Sequence, residues 1–556
     1  MKSSAIVSKR SAALLAMVLC SVGVAYGQSA PSAYTKAYRY LDGGLLAGTI
    51  SPAPSGQSNF LATRNTYDSK GRLQKVETGV LASWQSDQIA PANWTGFSIT
   101  KVVTYTYDAS GNKTKEVVTG YNGGTATTNV TQFAYDAHDR LTCTAVRMNP
   151  AAFSSLPSSA CNLGSQGAAG PDRVTTNTYD SLNRVTQIRR AVGTSIEQAY
   201  VTYSYTADGL KQDIVDANGN HTRLTYDGHN RQNRWYFPSK TRPTAFDPAN
   251  TATALASAGA YSTSDYEAYT YDNNGNRTSL RKRDGQTISY QYDALNRVTL
   301  KNVPGAANDV YYGYDLRGLQ TFARFGSAAG QGITNVYDGF GRNTSSSINL
   351  GGTTRTIGRQ FDAHGNRTRV THPDSNYFVY NYDALDRLTS ILENGSTTIA
   401  SQTYHAMGLR HTQTRAGVST TYAYDPALRL ASWADNLAGS AADVTTSFTA
   451  YNPANQVVTR SRNNDTYAFT EYTSGNYNYS SNGLNQYTSV GGATLAYDDN
   501  GNLTSDDSTT YTYDIENRLT SASGARNATL SYDPLGRLFE ISSGGNSTLF
   551  TTMATS

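Results

Sequence analysis

From residue 60 onward, polar and apolar side chains alternate with period two in short runs. Examples are Thr104-Tyr105-Thr106-Tyr107, Ser289-Tyr290-Gln291-Tyr292, Val379-Tyr380-Asn381-Tyr382 and Thr510-Tyr511-Thr512-Tyr513. That period predicts β-strands with both tyrosines of a run on one face. Each run leads into the same punctuation: Tyr-Asp, two variable residues, Gly or Asn, then Arg or Asn, then Leu, Val or Thr. It occurs as Tyr67-Asp68 with Gly71, Tyr107-Asp108 with Gly111, Tyr271-Asp272 with Gly275, Tyr292-Asp293 with Arg297, and Tyr382-Asp383 with Arg387. It returns as Tyr497-Asp498 with Gly501, Tyr513-Asp514 with Arg518, and Tyr532-Asp533 with Gly536. In the best-phased stretch Tyr271, Tyr292, Tyr314, Tyr337, Phe361, Tyr382, Tyr404 and Tyr424 follow one another at near-constant spacing.

The unit has the chemistry of a hairpin. Aspartate can accept hydrogen bonds from backbone N–H groups two residues on, and Gly or Asn supplies the left-handed backbone that a reversal needs. Arginine past the turn can bond exposed carbonyls or pair with a nearby aspartate. About 20 residues hold two strands of roughly seven residues, each near 23 Å long. One such hairpin cannot bury both faces, so its stability must come from neighbours in a continuous sheet that winds or closes. Tyrosine suits that sheet because its ring covers apolar area while its hydroxyl stays wet or meets an acceptor.

Composition agrees with strands and turns. The chain has 41 tyrosines against 15 phenylalanines, 48 glycines, and only 16% charged residues. The array is expected over residues 60–540, after a polar extension at 28–59 and before a polar tail at 541–556. Insertions are expected near 83–100, 143–174 and 235–264. The segment from Met1 to Gly27, with Lys2, Lys9 and Arg10 before an apolar run and Ala25-Tyr26-Gly27 at its end, reads as a secretory signal peptide. A membrane anchor is the competing reading, but the run is shorter than the roughly 18 residues a span needs. Leu19 argues against a lipoprotein site at Cys20. The mature protein is therefore expected outside the cytoplasm, with no membrane-spanning segment.

Loss of that segment takes Lys2, Lys9 and Arg10 from the 46 basic groups and nothing from the 42 acidic ones, which leaves the mature chain close to neutral. That balance, with no basic run, argues against nucleic-acid binding. Cys143 and Cys161 either close one loop, worth roughly 3 kcal/mol in an oxidising compartment, or remain as two thiols.

The repeated Tyr-Asp-x-x-Gly-Arg-Leu pattern resembles the YD repeats of bacterial Rhs proteins, toxin-complex shell subunits and teneurins. The resemblance implies an all-β fold: one long antiparallel sheet spiralling into a partial or complete hollow shell, in which some members enclose a toxic domain. It implies a non-enzymatic scaffold with a polypeptide cargo and no cofactor. The chain departs from that pattern at its end, where the short stretch following Asp533-Pro534-Leu535-Gly536 leaves no room for a toxin. It reads as a shell fragment with a partner encoded elsewhere, or as a truncated product. A rival reading is a cell-surface module binding glycans or proteins through Trp84, Trp94 and Trp235 in the insertions, although lone tryptophans more often pack beneath a loop.

Catalytic signatures are lacking. None of the seven histidines forms a metal motif. His138, His229 and His364 occupy variable turn positions, while His405 and His411 can face one another across a hairpin. The aspartates recur at one turn position, as structural residues do and a unique catalytic pair does not.

Overall fold

A computed structural model describes residues 35–53, 58–122, 125–305, 309–437, 439–470 and 475–551. The expected signal peptide and the end of the tail, 552–556, lie outside them. Strands account for 52% of the chain and helices for 4%, so the period-two pattern translates directly into β-structure.

The main body is a single 32-stranded sheet. It is a meander in which each strand pairs antiparallel with the next along the chain, from Ala37–Tyr40 and Leu46–Ile50 to Val444–Tyr451 and Val457–Arg462. The sheet does not close. Among the described residues, its first strand pairs only with the second and its last only with the one before it. A three-stranded sheet over 479–494 and a seven-stranded sheet over 496–549 follow.

These later parts return to the earlier ones. The Thr100 hydroxyl lies 3.2 Å from the Met407 sulfur, and Asn129 bonds Asn455 at 2.9 Å. Asn485 donates to Asp216 at 2.9 Å, Asn500 to Asp284 at 2.7 Å, and Lys301 pairs with Glu516 at 2.6 Å. The sheet thus winds, and corners of later repeats rest on strands and corners of earlier ones. Gly120 shows how closely: a Cβ there would stand 1.8 Å from the Pro426 carbonyl oxygen.

Fully buried hydrophobic residues collect where something covers the sheet. Ala37, Ile50, Ala62, Leu81 and Trp94 form one cluster beneath the insertion after Leu81. Cys143, Ala145, Ala160 and Val174 form a second beneath the next insertion, and Ile333, Ile348, Leu350 and Phe539 a third where a late strand packs over an early one. Elsewhere single buried residues such as Val215, Val310 and Val370 alternate with half-buried ones, and in Thr509–Tyr513 the tyrosines lie on the less exposed face.

Three features differ from the sequence reading. Strands at 37–50 join the sheet within the stretch expected to be a polar extension, because Ala37, Ala47 and Ile50 supply a buried face without a Tyr-Asp corner. Strands 538–543 and 546–549 likewise carry the array into the expected tail. The insertion after Pro238 holds a helix, Thr251–Ser257, started by a reciprocal Asn250–Thr253 capping box and seated through the fully buried Ala254.

Candidate functional site

The recurrent site is the corner. In Asp68 one carboxylate oxygen accepts the N–H groups of Lys70 and Arg72, both at 2.9 Å, and the other accepts Arg72 Nε at 2.7 Å. The Asp68 N–H donates to the Arg72 carbonyl and the Gly71 N–H to the Asp68 carbonyl. Gly71 has φ 76°, and Asn296, Asp386 and Asn517 stand in that left-handed slot in other copies with φ 61°, 57° and 62°. Short polar side chains tolerate that backbone, which explains why Asn and Asp alternate with Gly there. The same bonds recur at Asp136, Asp180, Asp227, Asp293, Asp338 and Asp514. The Arg140 guanidinium beside Asp136 holds its carboxyl down to about 2, and Arg231 does the same to Asp227. Such carboxylates stay ionised as turn anchors and cannot donate protons near neutrality.

Where the slot holds arginine and the strand ends in tyrosine, two further bonds tie many corners to the next. The arginine spans forward: Arg72 donates to the Asp108 carbonyl at 3.2 Å and lies 4.6 Å from the centroid of the Tyr107 ring. Arg140 reaches Asp180 and Tyr179, and Arg231 reaches Asp272 and Tyr271, in the same way. The tyrosine spans backward. Tyr107 donates its hydroxyl to the Leu73 carbonyl at 2.8 Å, Tyr179 to Leu141 at 2.8 Å and Tyr532 to Leu519 at 2.7 Å. The acceptor in each case is the residue that restarts the chain after the preceding arginine or asparagine slot. Neither link is readable from one repeat alone, since both partners lie a full unit away.

The RHS Repeat family matches residues 271–307 and 361–398, two stretches of this corner-and-strand pattern. The chain carries RHS repeats. Solved structures with a similar course include TcdB2-TccC3-TEV, at 13% identity and a TM-score of 0.46, covering 91% of this chain and 28% of that one. TcdB2-TccC3-Cdc42 is 14% identical with a TM-score of 0.47 over 91% and 28%. The Photorhabdus luminescens Tc holotoxin pore is 14% identical with a TM-score of 0.46 over 92% and 28%. The chain therefore spans little more than a quarter of the proteins it resembles. No curated protein matches it.

The array also contains a polar cluster, at 204–223, that the sequence does not announce. Asp213 accepts from His221 Nε2 at 2.7 Å, from Arg223 Nε at 2.8 Å and from the Ser204 hydroxyl at 2.5 Å. Burial pushes its carboxyl up, but these donors outweigh burial and hold it well below the usual carboxylate range. The order of contacts is not that of a nucleophilic triad, in which the imidazole would take the serine proton. Here Ser204 faces the carboxylate, and His221 Nδ1 is 3.1 Å from the Gly259 carbonyl. Alternation along adjacent strands brings 204, 213 and 221 together, a signal hidden by the absence of any motif.

His405 and His411 do face one another, with ring centroids 4.3 Å apart, and burial lowers the His411 pKa. His405 Nε2 is already 3.1 Å from the Tyr422 carbonyl. Among the described residues, no three His, Cys, Asp or Glu side chains converge as metal ligands would. No helix of the described residues is long and apolar enough to cross a membrane.

The three insertions differ in what they offer. Trp94 is buried in the first cluster and Trp84 packs edge-on against Phe60 with centroids 5.6 Å apart. Trp94 is buried there and Trp84 half-buried, so both pack as a roof over the sheet. Trp235 is 38% exposed and stacks on Phe237 at 4.9 Å, with Arg283 over the far ring. The second insertion is locked by a Cys143–Cys161 disulfide and by Arg147, which pairs with Asp172 at 2.6 Å. A polar cleft of about 440 Å³ separates the third insertion from the late repeats, lined by Lys240, Asp265, Arg283, Gln486, Tyr497 and Asp499 among others.

Proposed function

We propose that this chain is an exported, non-enzymatic RHS scaffold whose winding sheet encloses or presents another polypeptide. The observation that carries the reading is one continuous open sheet, bonded corner to corner and returning on itself, with its chemistry spent on holding that course. The corner carboxylates are engaged by their own turns, and the buried histidine–carboxylate cluster around Asp213 is arranged for cohesion. The disulfide suits an oxidising compartment and so supports export. The resemblance to Rhs shells supplies the cargo class, a polypeptide retained behind the sheet.

The test is imaging of the purified chain alone and co-expressed with the product of its neighbouring gene. A curved or hollow particle, filled only in the co-expressed sample, is expected. A compact solid particle would refute the scaffold reading.

A second reading, a surface module for glycans, is supported by the exposed Trp235 ring, backed by Phe237, because exposed aromatic rings stack on sugar faces. Binding on a glycan array that vanishes in Trp235→Ala would support it, and an empty array would remove it.

A further inference from the structure

Among the described residues, the first and last strands of the 32-stranded sheet each have one unpaired edge, and the two are complementary halves of one repeat. From the first repeats through Tyr424 the register between consecutive repeats is constant, and it slips by one residue only at the last such pairing, where Ser432 stands opposite Ser447. Lys75 stands opposite Thr104, Arg234 opposite Ala268 and Leu300 opposite Tyr311, which puts each corner tyrosine beside the arginine slot of the repeat before it. The first strand, Ala37–Tyr40, is an incoming strand: it ends in Tyr40, and the corner after it has the usual bonds, Leu41 N–H to Leu45 and Gly44 N–H to Leu41, with Gly44 at φ 78°. The last strand, Val457–Arg462, is an outgoing strand that follows the Asn452 corner.

Each strand exposes what the other would cover. Tyr38 and Tyr40 are 49% and 63% exposed, and Val457 and Val458 are 48% and 62% exposed. All positions from 457 to 462 are exposed, unlike any other strand of that length in the sheet. Unpaired sheet edges recruit strands from other chains unless blocked.

We propose that the outgoing edge at 457–462 receives the incoming edge at 37–40 of a second copy of this chain, continuing the meander in phase. The array's own register then places Tyr38 opposite Val458, Ala37 opposite Thr459 and the Tyr40 hydroxyl on the Val457 carbonyl, the bond that Tyr107 makes to Leu73. The contact is head-to-tail, so assembly grows into open chains or rings. It is short, which makes it weak and concentration-dependent. Arg39 and Arg462 are already paired with Asp87 and Asp465. Lys36 and Arg460 would meet as like charges directly across the new pair, an unfavourable arrangement that gives the proposal a distinctive handle. The inference is independent of the cargo reading, since end-to-end pairing is the same whether or not the shell is filled.

The experiment uses the full mature chain. Light scattering across a concentration series should show the mass rising from one chain toward two and beyond. Arg460→Glu should move that rise to roughly threefold to tenfold lower concentration, because it converts a like-charged pair into an opposite one. Under mild oxidation, Tyr38→Cys mixed with Val458→Cys should give a covalent dimer, while neither variant alone does so. A single-chain mass at every concentration with no mixed cross-link overturns the proposal. So does cross-linking of Val458→Cys with itself, which would mean a symmetric edge pair. A monomer whose 457–462 amides exchange as slowly as interior strands also overturns it, because the chain would then cover its own edge.

Discussion

Asp172→Ala should free the second insertion from the sheet. Arg147 is 1% exposed, and its guanidinium donates to Asp172, to the Gln132 side chain and to the Asn162 and Ser159 carbonyls. Asp172 also accepts the N–H groups of Met148 and Gly164, both at 2.8 Å. Removing the carboxylate leaves a buried cation, a buried N–H and a half-buried one without their acceptor, which costs about 3–5 kcal/mol. The disulfide, closing a separation of 18 residues, contributes roughly 3 kcal/mol by limiting the open chain. It should therefore retain the loop's ends while the interior of the insertion opens. A single global unfolding curve is a poor readout, because repeat arrays do not melt as one unit. Hydrogen–deuterium exchange on peptides from 143–174 reports the local opening directly. Protection there should fall by about two to four orders of magnitude, each step of about 1.4 kcal/mol being a factor of ten. Strands beyond 200 should be unchanged. The double variant Arg147→Met, Asp172→Leu should recover most of the loss, since well-packed apolar replacements of a buried pair are often neutral. A less than tenfold change in the single variant, or a double variant as damaged as the single, would refute the reasoning.

Three other outcomes are expected. Asp213 has a lowered folded pKa, so its contribution is complete above its unfolded value of about 3.9 and is lost as pH falls toward the folded one; acid exchange profiles of strands 211–226 should hold at pH 5 and collapse below about 4, and Asp213→Asn should flatten that dependence. Tyr179→Phe removes the hydroxyl bond to the Leu141 carbonyl and should weaken the local pairing by about 1 kcal/mol, read as faster exchange at 141–147 and 173–179. Gly120→Ala should push the Asp425–Arg429 corner off the strand below it, raising exchange on both sides, whereas Gly228→Ala, with open space around it, should be silent.

The corners were legible because Asp and Gly or Asn act within a single turn, and local chemistry leaves a local signature. Arg72 and Tyr107 carry equally regular bonds, but their partners sit one repeat away, so sequence displays the residues without the reach. Trp84, Trp94 and Trp235 look alike in sequence. Their fates diverge because the first insertion folds down onto Ile50 and Leu81, whereas strand 232–238 turns Trp235 outward. The strands at 37–50 escaped notice because Leu41 replaces aspartate in that corner, and the backbone alone makes the turn. The Asp213 cluster joins residues on three successive strands through register, which no linear spacing records.

Where a unit carries both, the forward reach of its arginine and the backward reach of its tyrosine make the repeat a self-sufficient increment. Duplicating one unit in the gene adds a complete set of fastenings and deleting one removes a complete set, with no compensating change needed elsewhere in that layer. The length of the sheet can then drift by whole units across evolution, governed by how many units are strung together and not by the identity of any one of them.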